Sequence, residues 1–278
     1  MFDGLKDRAY IVRGGLPRKA LPDLAWVGGC SAGAGRYLPS GGQSSRASQS
    51  IGHEHCVAHV IIGSEKTMLM DSGHYAHWWS LDSQLDAMLG GRTLDYVFLS
   101  HQEIPHTGNM GRLLAKYPDC IAVGDVRDYH LFHPEVELER IQSTKHEDRI
   151  SLGDREIVFL DAFWKDLSGT MWTYDTKLKL FFGGDLFGFG HSEADNTCGT
   201  MFHEMAEDVF QRHSDRHAMP FFGKNWRNQN ERVAAFRNLM KKYPIEIITS
   251  GHTGPIMGPR VPIVIEKVLA RLAADGLG

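Results

Sequence analysis

Three side chains that metals accept as ligands fall within six residues: His101, Glu103 and His106, in the run Ser100-His101-Gln102-Glu103-Ile104-Pro105-His106-Thr107-Gly108. Imidazole nitrogens and carboxylate oxygens suit iron, manganese and zinc. The run follows the apolar segment 96–99, and Pro105 fits a turn but not a helix interior. A strand end can therefore aim all three donors at one point. Alone, such a run reads as easily as a polar loop with two surface histidines. Two further strand ends shift the balance. Asp185 follows the apolar segment 178–182 through Gly183-Gly184, and His252 follows the segment 245–249 through Ser250-Gly251. Reactive groups of α/β proteins gather outside the carboxyl ends of strands, and three such coincidences are harder to dismiss than one. Asp166 sits on the loop ahead of a strand at 172–174, nineteen residues before Asp185.

The elements that must position these residues follow from apolar periodicity. Segments 24–29, 56–62, 67–70, 96–99, 120–123, 155–160, 172–174, 178–182 and 245–249 read as strands, with a hairpin turn at 63–66. Leu81, Leu85, Met88 and Leu89 recur at helical spacing before Gly90-Gly91, which predicts a helix over 80–89. Further helices are expected over 109–117, 203–217, 229–242 and 261–274. Residues 36–52 read as a Ser- and Gly-rich loop. Phe221, Phe222 and Trp226 read as packing aromatics, as do Trp78 and Trp79. No repeat or linker interrupts the chain, so a single domain over 1–278 is expected. The two halves look loosely alike, each a set of hairpins followed by helices. That pattern suits two mixed β-sheets face to face with helices outside, an αββα sandwich.

The composition narrows the function classes. With 278 residues, 42% apolar, the chain can build a sizeable core. A net charge of −4 lacks the basic footprint of a nucleic-acid binder. No apolar run reaches transmembrane length. The charged residues Asp3, Lys6, Asp7 and Arg8 are unlike a secretory signal, so a cytoplasmic protein is expected. Cys30, Cys56, Cys120 and Cys198 form no C-x-x-C pair, which argues for reduced thiols over a disulfide framework or a structural zinc knuckle.

Taken together, the order and spacing resemble the metallo-β-lactamase superfamily, and within it the flavodiiron branch with its oxygen-binding diiron relatives. That branch carries H-x-E-x-D-H, then a histidine, an aspartate nineteen residues on, and a distant histidine. His101, Glu103 and His106 match the first motif, Asp185 the bridging aspartate and His252 the last histidine. Trp26-Val27-Gly28, Asp71-x-Gly73 and Met171-Trp172-Thr173-Tyr174 add to the likeness, which covers about residues 24–260. Two positions depart from it: Pro105 replaces the motif's aspartate, and Asp166 stands where a histidine is expected. The resemblance implies His101, Glu103 and Asp166 on one metal, His106 and His252 on the other, and Asp185 bridging. No catalytic group is assigned beyond the ligands. Asp71 is expected to orient a ligand histidine through its other ring nitrogen, and His74 and His191 are candidates for lining the pocket.

Three carboxylates and three imidazoles favour two iron ions, with manganese or zinc as other occupants. The expected function is a non-haem di-iron oxidoreductase acting on O₂ and small N–O species, for example O₂-linked oxidation of hydroxylamine or reduction of O₂ or NO. Alternatives are a dinuclear hydrolase of thioesters, lactones or phosphoesters, suggested by His106 standing in for the lost aspartate, and a non-enzymatic O₂ or NO sensor. Full flavodiiron enzymes continue into a flavodoxin-like FMN domain that this sequence is expected to lack. An external electron donor is then needed, and no motif announces a flavin (FMN or FAD). The partners expected are a small-molecule substrate, no nucleic acid and no membrane, with a homo-oligomer implied by the resemblance.

Overall fold

The computed structural model describes residues 11–12, 15–32, 52–192, 195–215 and 228–274. The expected loop at 36–51 and the aromatics Phe221, Phe222 and Trp226 lie outside these residues.

The first sheet holds β1 (Ile11–Val12), β2 (Arg18–Leu21), β3 (Leu24–Ala32), β4 (Gly52–Ile62), β5 (Thr67–Met70), β6 (Tyr96–Phe98), β7 (Ile121–Gly124), β8 (Ile141–Ser143) and β13 (His191–Ser192). Its order is β1-β3-β4-β5-β6-β7-β8, with β2 also on β3 and β13 also on β4. Pairing is antiparallel up to β5 and parallel from β5 to β8. The second sheet holds β9 (Arg149–Ser151), β10 (Glu156–Asp161), β11 (Met171–Asp175), β12 (Leu180–Phe182), β14 (Ile247–Ser250) and β15 (Thr253–Met257), in the order β15-β14-β12-β11-β10-β9. Only β12 and β14 run parallel there.

Side-chain alternation divides each strand between two layers. Ile157 and Phe159 of β10 meet Met70, Phe98 and Val123 between the sheets. Val158 and Leu160 face the opposite way, with Trp172, Tyr174 and Phe181, onto helices α5 (Glu207–Ser214), α6 (Gln229–Lys242) and α7 (Arg260–Ala274). On the far side of the first sheet, Val27, Val60, Leu69 and Val97 bury Leu81 and Leu85 of α1 (Trp78–Leu89) and Leu113 of α3 (Met110–Lys116). The expected αββα sandwich is therefore the observed one. The short helices α2 (Ile104–Thr107) and α4 (Tyr129–Phe132) cap strand ends. No helix among the described residues is long and apolar enough to cross a membrane.

Differences from the expected elements have simple causes. Within the helix expected over 203–217, the described residues form a 3-10 turn, Phe202–Glu204, and the shorter α5. Strands β2, β8, β9 and β13 escape the pattern because two to four residues carry too little alternation to read. β15 contains Pro255, yet it lies at the sheet edge, where a missing N–H is tolerated.

Candidate metal centre

One end of the sandwich collects the carboxyl termini of the strands singled out above. β5 ends at Asp71, β6 at Ser100-His101, β12 at Gly183-Gly184-Asp185 and β14 at Ser250-Gly251-His252. His106 lies on α2, one turn beyond Glu103, and Asp166 lies on the connection from β10 to β11. Close backbone packing locks these ends together. Gly183 N–H donates to Thr249 O at 3.0 Å, and Gly251 N–H to Gly184 O at 2.9 Å. Gly251 has to be a glycine here: a Cβ on it would sit 2.6 Å from His106 Cε1 and 2.9 Å from Asp71 Oδ2.

The six expected residues converge. Asp185 Oδ1 lies 2.9 Å from His106 Nε2 and 3.1 Å from His252 Nε2, while its Oδ2 lies 3.7 Å from His101 Nε2. His101 Nε2 is also 3.4 Å from Asp166 Oδ2 and 3.9 Å from Glu103 Oε2. One carboxylate thus turns one oxygen toward each half of the proposed ligand set. His101 and His106 are fully buried, and Glu103, with 48% of its side chain exposed, forms the outer rim. His101 Nε2, His106 Nε2 and Asp185 Oδ1 are buried and have no hydrogen-bonding partner among the described residues. The 2.9 Å approach of His106 to Asp185 is a charged contact without hydrogen-bond alignment. Buried polar atoms are ordinarily satisfied, so three orphaned donor atoms around one point fit cations held between them.

The outer nitrogens are held firmly. His106 Nδ1 meets Asp71 Oδ2 at 2.6 Å, as expected of Asp71. Asp71 adopts φ +59°, a left-handed conformation that aspartate tolerates better than most residues. His252 Nδ1–H donates to the carbonyl of His55 at 2.7 Å and lies 3.2 Å from Glu54 Oε1. Two contributors were missed at the sequence level. Ser100 Oγ stands 3.1 Å from both Asp71 Oδ2 and His101 Nδ1, tying two ligand histidines to one aspartate. Its only signal was its place beside His101. The His55 carbonyl is backbone, and no residue type announces it.

For His74 and His191, weighed as pocket-lining or as solvated histidines, the contacts seen lie with other groups. His74 accepts the Ala76 amide in the turn before α1 and packs beside Tyr75 and His77. The His191 Nε2 contacts Cys198 Sγ at 3.0 Å and Cys30 Sγ at 3.6 Å, in a separate cluster. Strand pairing with His53 of β4 carries His191 there, while His74 caps the 3-10 turn at 75–77.

Taken as protein groups alone, the donors have strongly displaced acidities. Burial would lower the His106 pKa, but the carboxylates of Asp71 and Asp185 overcome it and hold the ring at about 10. His252 is likewise raised well above the ordinary histidine value, burial being outweighed by Glu54 and Asp185. Burial would raise the Asp185 carboxyl, but the three imidazoles keep it well below the usual range. Asp166 is raised by burial, and Glu103 is lowered by its contact with His101. Imidazoles with raised pKa values are protonated at neutral pH, and a cation must displace those protons. Metal titration of the stripped protein at pH 7.5 is expected to release about two protons, from His106 and His252. Calorimetry in buffers of differing ionisation enthalpy reads this number, and release should shrink as pH rises toward 10. Release of no protons at pH 7.5 would contradict the assignment of both rings as ligands.

A family model described as ODP family beta lactamase matches residues 55–253. An anaerobic nitric oxide reductase flavorubredoxin of Pectobacterium carotovorum is 27% identical over 135 residues, covering 46% of this chain and 26% of the relative. Diflavin flavoprotein A 1 of Synechocystis sp. is 27% identical over 216 residues, covering 74% of this chain and 35% of the relative. The chain thus spans about a quarter to a third of these curated relatives. Among solved structures, rubredoxin oxygen:oxidoreductase of Desulfovibrio gigas superposes with a TM-score of 0.72 at 16% identity, over 93% of this chain and 62% of that one. A fragment of a putative diflavin flavoprotein A 5 from Nostoc sp. gives a TM-score of 0.67 at 16% identity, over 95% and 97%. The likeness to these structures shows the metallo-β-lactamase fold.

Proposed function

Because the chain belongs to the ODP family of beta lactamases, we propose that it is a non-haem di-iron oxidoreductase acting on O₂ and on small N–O species such as NO or hydroxylamine. The observation that carries this reading is Asp185, whose two oxygens face His101 on one side and His106 with His252 on the other. With Glu103 and Asp166 beside His101, the pocket would offer three carboxylates and three imidazoles to two metals, the former on His101, Glu103 and Asp166 and the latter on His106 and His252. Such an oxygen-rich set suits iron more than a site built for zinc alone. Relatives named for the reduction of nitric oxide and for an oxygen oxidoreductase motivate the substrate class.

Held by these residues, a pair of ferrous ions would offer two reducing electrons to O₂ or a small N–O substrate. The chain's own residues would do the rest. Asp71 and the His55 carbonyl fix the rings of His106 and His252, so the donors need no reorganisation. The buried rings of His101 and His106 exclude bulk water. Glu103 at the exposed rim is the donor a substrate would meet on entry. Repeated turnover needs electrons from outside the pocket, and a reduced flavoprotein is the class of donor proposed. A homo-oligomer is also proposed, by analogy with the family.

The test compares protein reconstituted anaerobically with ferrous iron or with zinc, supplied with a reduced flavin. The iron form is expected to consume O₂ or NO over many turnovers, and the zinc form neither. In Glu103→His, loss of one negative charge is expected to lower iron occupancy severalfold relative to zinc and to lower turnover with it. A zinc form that hydrolyses esters or phosphoesters, with an iron form inert toward O₂ and NO, would overturn the proposal.

A further inference from the structure

A second cluster of donors lies on the first sheet, apart from the pocket described above. Register places it there. Cys30 of β3 pairs with His55 of β4, Ala32 with His53, and His53 in turn with His191 of β13. Residues two apart on a strand share a face, so His53 and His55 project together. Cys198, on the turn after β13, reaches back over them. The donor atoms of Cys30, His53, His191 and Cys198 all lie within 4.8 Å of one another.

Four of the six separations between these donor atoms are close contacts. Cys198 Sγ lies 3.9 Å from Cys30 Sγ, 3.0 Å from His191 Nε2 and 3.3 Å from His53 Nδ1, and Cys30 Sγ lies 3.6 Å from His191 Nε2. Zinc bonds of about 2.3 Å to sulfur and about 2.05 Å to nitrogen imply tetrahedral edges of about 3.8 Å between sulfurs and about 3.5 Å between sulfur and nitrogen. The observed edges scatter around those values. Cys30, His53 and His191 are buried, and Cys198 is half-buried. The His55 ring stacks on His191 at 4.5 Å between centroids, with both of its own nitrogens lacking a hydrogen-bonding partner among the described residues. His191 Nδ1 is in the same condition.

We infer that Cys30, His53, His191 and Cys198 bind one tetrahedral zinc ion as a closed, structural site. Two thiolates and two imidazoles are the soft, four-coordinate set zinc takes when no position is left for substrate. Other fates of these four residues fit less well. A disulfide needs sulfurs about 2.05 Å apart, and these stand at 3.9 Å. A two-iron, two-sulfide cluster with this ligand set would put both cysteines on one iron and both histidines on the other. Here each sulfur contacts a histidine nitrogen directly. No C-x-x-C pair announces such a site, because the four residues arrive in no compact motif: Cys30 and Cys198 are 168 positions apart.

The ion would clamp β13 and the turn carrying Cys198 to β3 and β4. It would also pin the part of β4 whose His55 carbonyl accepts from His252. The inference does not depend on what the first centre does. Its test is zinc K-edge X-ray absorption on the full chain purified under reducing conditions, with metal analysis of the same sample. About one zinc per chain with two sulfur and two nitrogen neighbours is expected. Cobalt substitution should add thiolate-to-metal charge transfer in the near ultraviolet, absent from the Cys30→Ser/Cys198→Ser double variant. His53→Ala, which keeps both thiols, should lower zinc affinity at least tenfold if the double variant does not fold. Zinc with only nitrogen and oxygen neighbours, no zinc at all, or a Cys30–Cys198 disulfide in the purified protein would overturn the inference.

Discussion

Asp185→Ala is expected to drop the metal content of the first centre from two per chain to one or fewer, and to lower turnover by more than about 100-fold. Among the described residues, Asp185 is the only carboxylate within contact of all three imidazoles, at 2.9, 3.1 and 3.7 Å. Without it, two cations would face each other with no carboxylate between them to offset their repulsion. An outer-shell partner such as Asp71 typically accounts for 10–100-fold in metal affinity or activity, and a bridging ligand should exceed that. The variant should still fold. The bonds that shape this turn are backbone ones: Gly183 N–H to Thr249 O, Leu186 N–H to Gly183 O and Gly188 N–H to Asp185 O. Circular dichroism and metal analysis on one sample separate the two effects. Two metals per chain in a folded Asp185→Ala protein would refute the ligand assignment.

Arg155→Met is expected to destabilise the fold by about 3–5 kcal/mol, the range for removing one partner of a buried ion pair. Arg155 immediately precedes β10 and has no exposed side-chain surface. Its guanidinium bonds Asp175 Oδ2 at 3.2 Å, Asp154 Oδ1 at 3.2 Å, and Asp23 on the turn between β2 and β3. It therefore ties the first sheet to the second. Lys177, 3.1 Å from Asp23 and 2.6 Å from Asp154, can still neutralise those two. Asp175 is different. Fully buried, it would keep only the amides of Lys177 and Leu178 on its other oxygen. An uncompensated buried carboxylate is the source of the cost. Urea unfolding of the metal-stripped protein avoids coupling to metal loss. Adding Asp175→Asn should recover part of the stability. A loss below about 1 kcal/mol in the single variant would show that the cluster is solvated enough to do without its cation.

The two centres differ in how far residue order alone revealed them. In the first, three of the six donors follow an apolar run long enough to read: 96–98 before His101, 180–182 before Asp185, 247–250 before His252. A strand that ends in a ligand advertises both the element and its aim, because parallel neighbours bring their carboxyl ends to one edge. Asp166 was recognisable only by its distance from Asp185, and His191 was misplaced, because a loop histidine carries no information about which strand its neighbours will pair with.

Residue order by itself determined the layered class, most strand and helix positions, and three strand ends followed by metal-type donors, His101, Asp185 and His252. Local periodicity and residue type carry that much, since they act over a few neighbours. Tertiary structure alone decided that Asp185 splits its oxygens between two sets of imidazoles, that the His55 carbonyl holds His252, and that Cys30, His53, His191 and Cys198 meet. These depend on contacts between residues up to 197 positions apart and on a two-residue strand, β13, too short to leave a pattern. A one-residue slip of β4 against β3 would turn His53 and His55 to the opposite face.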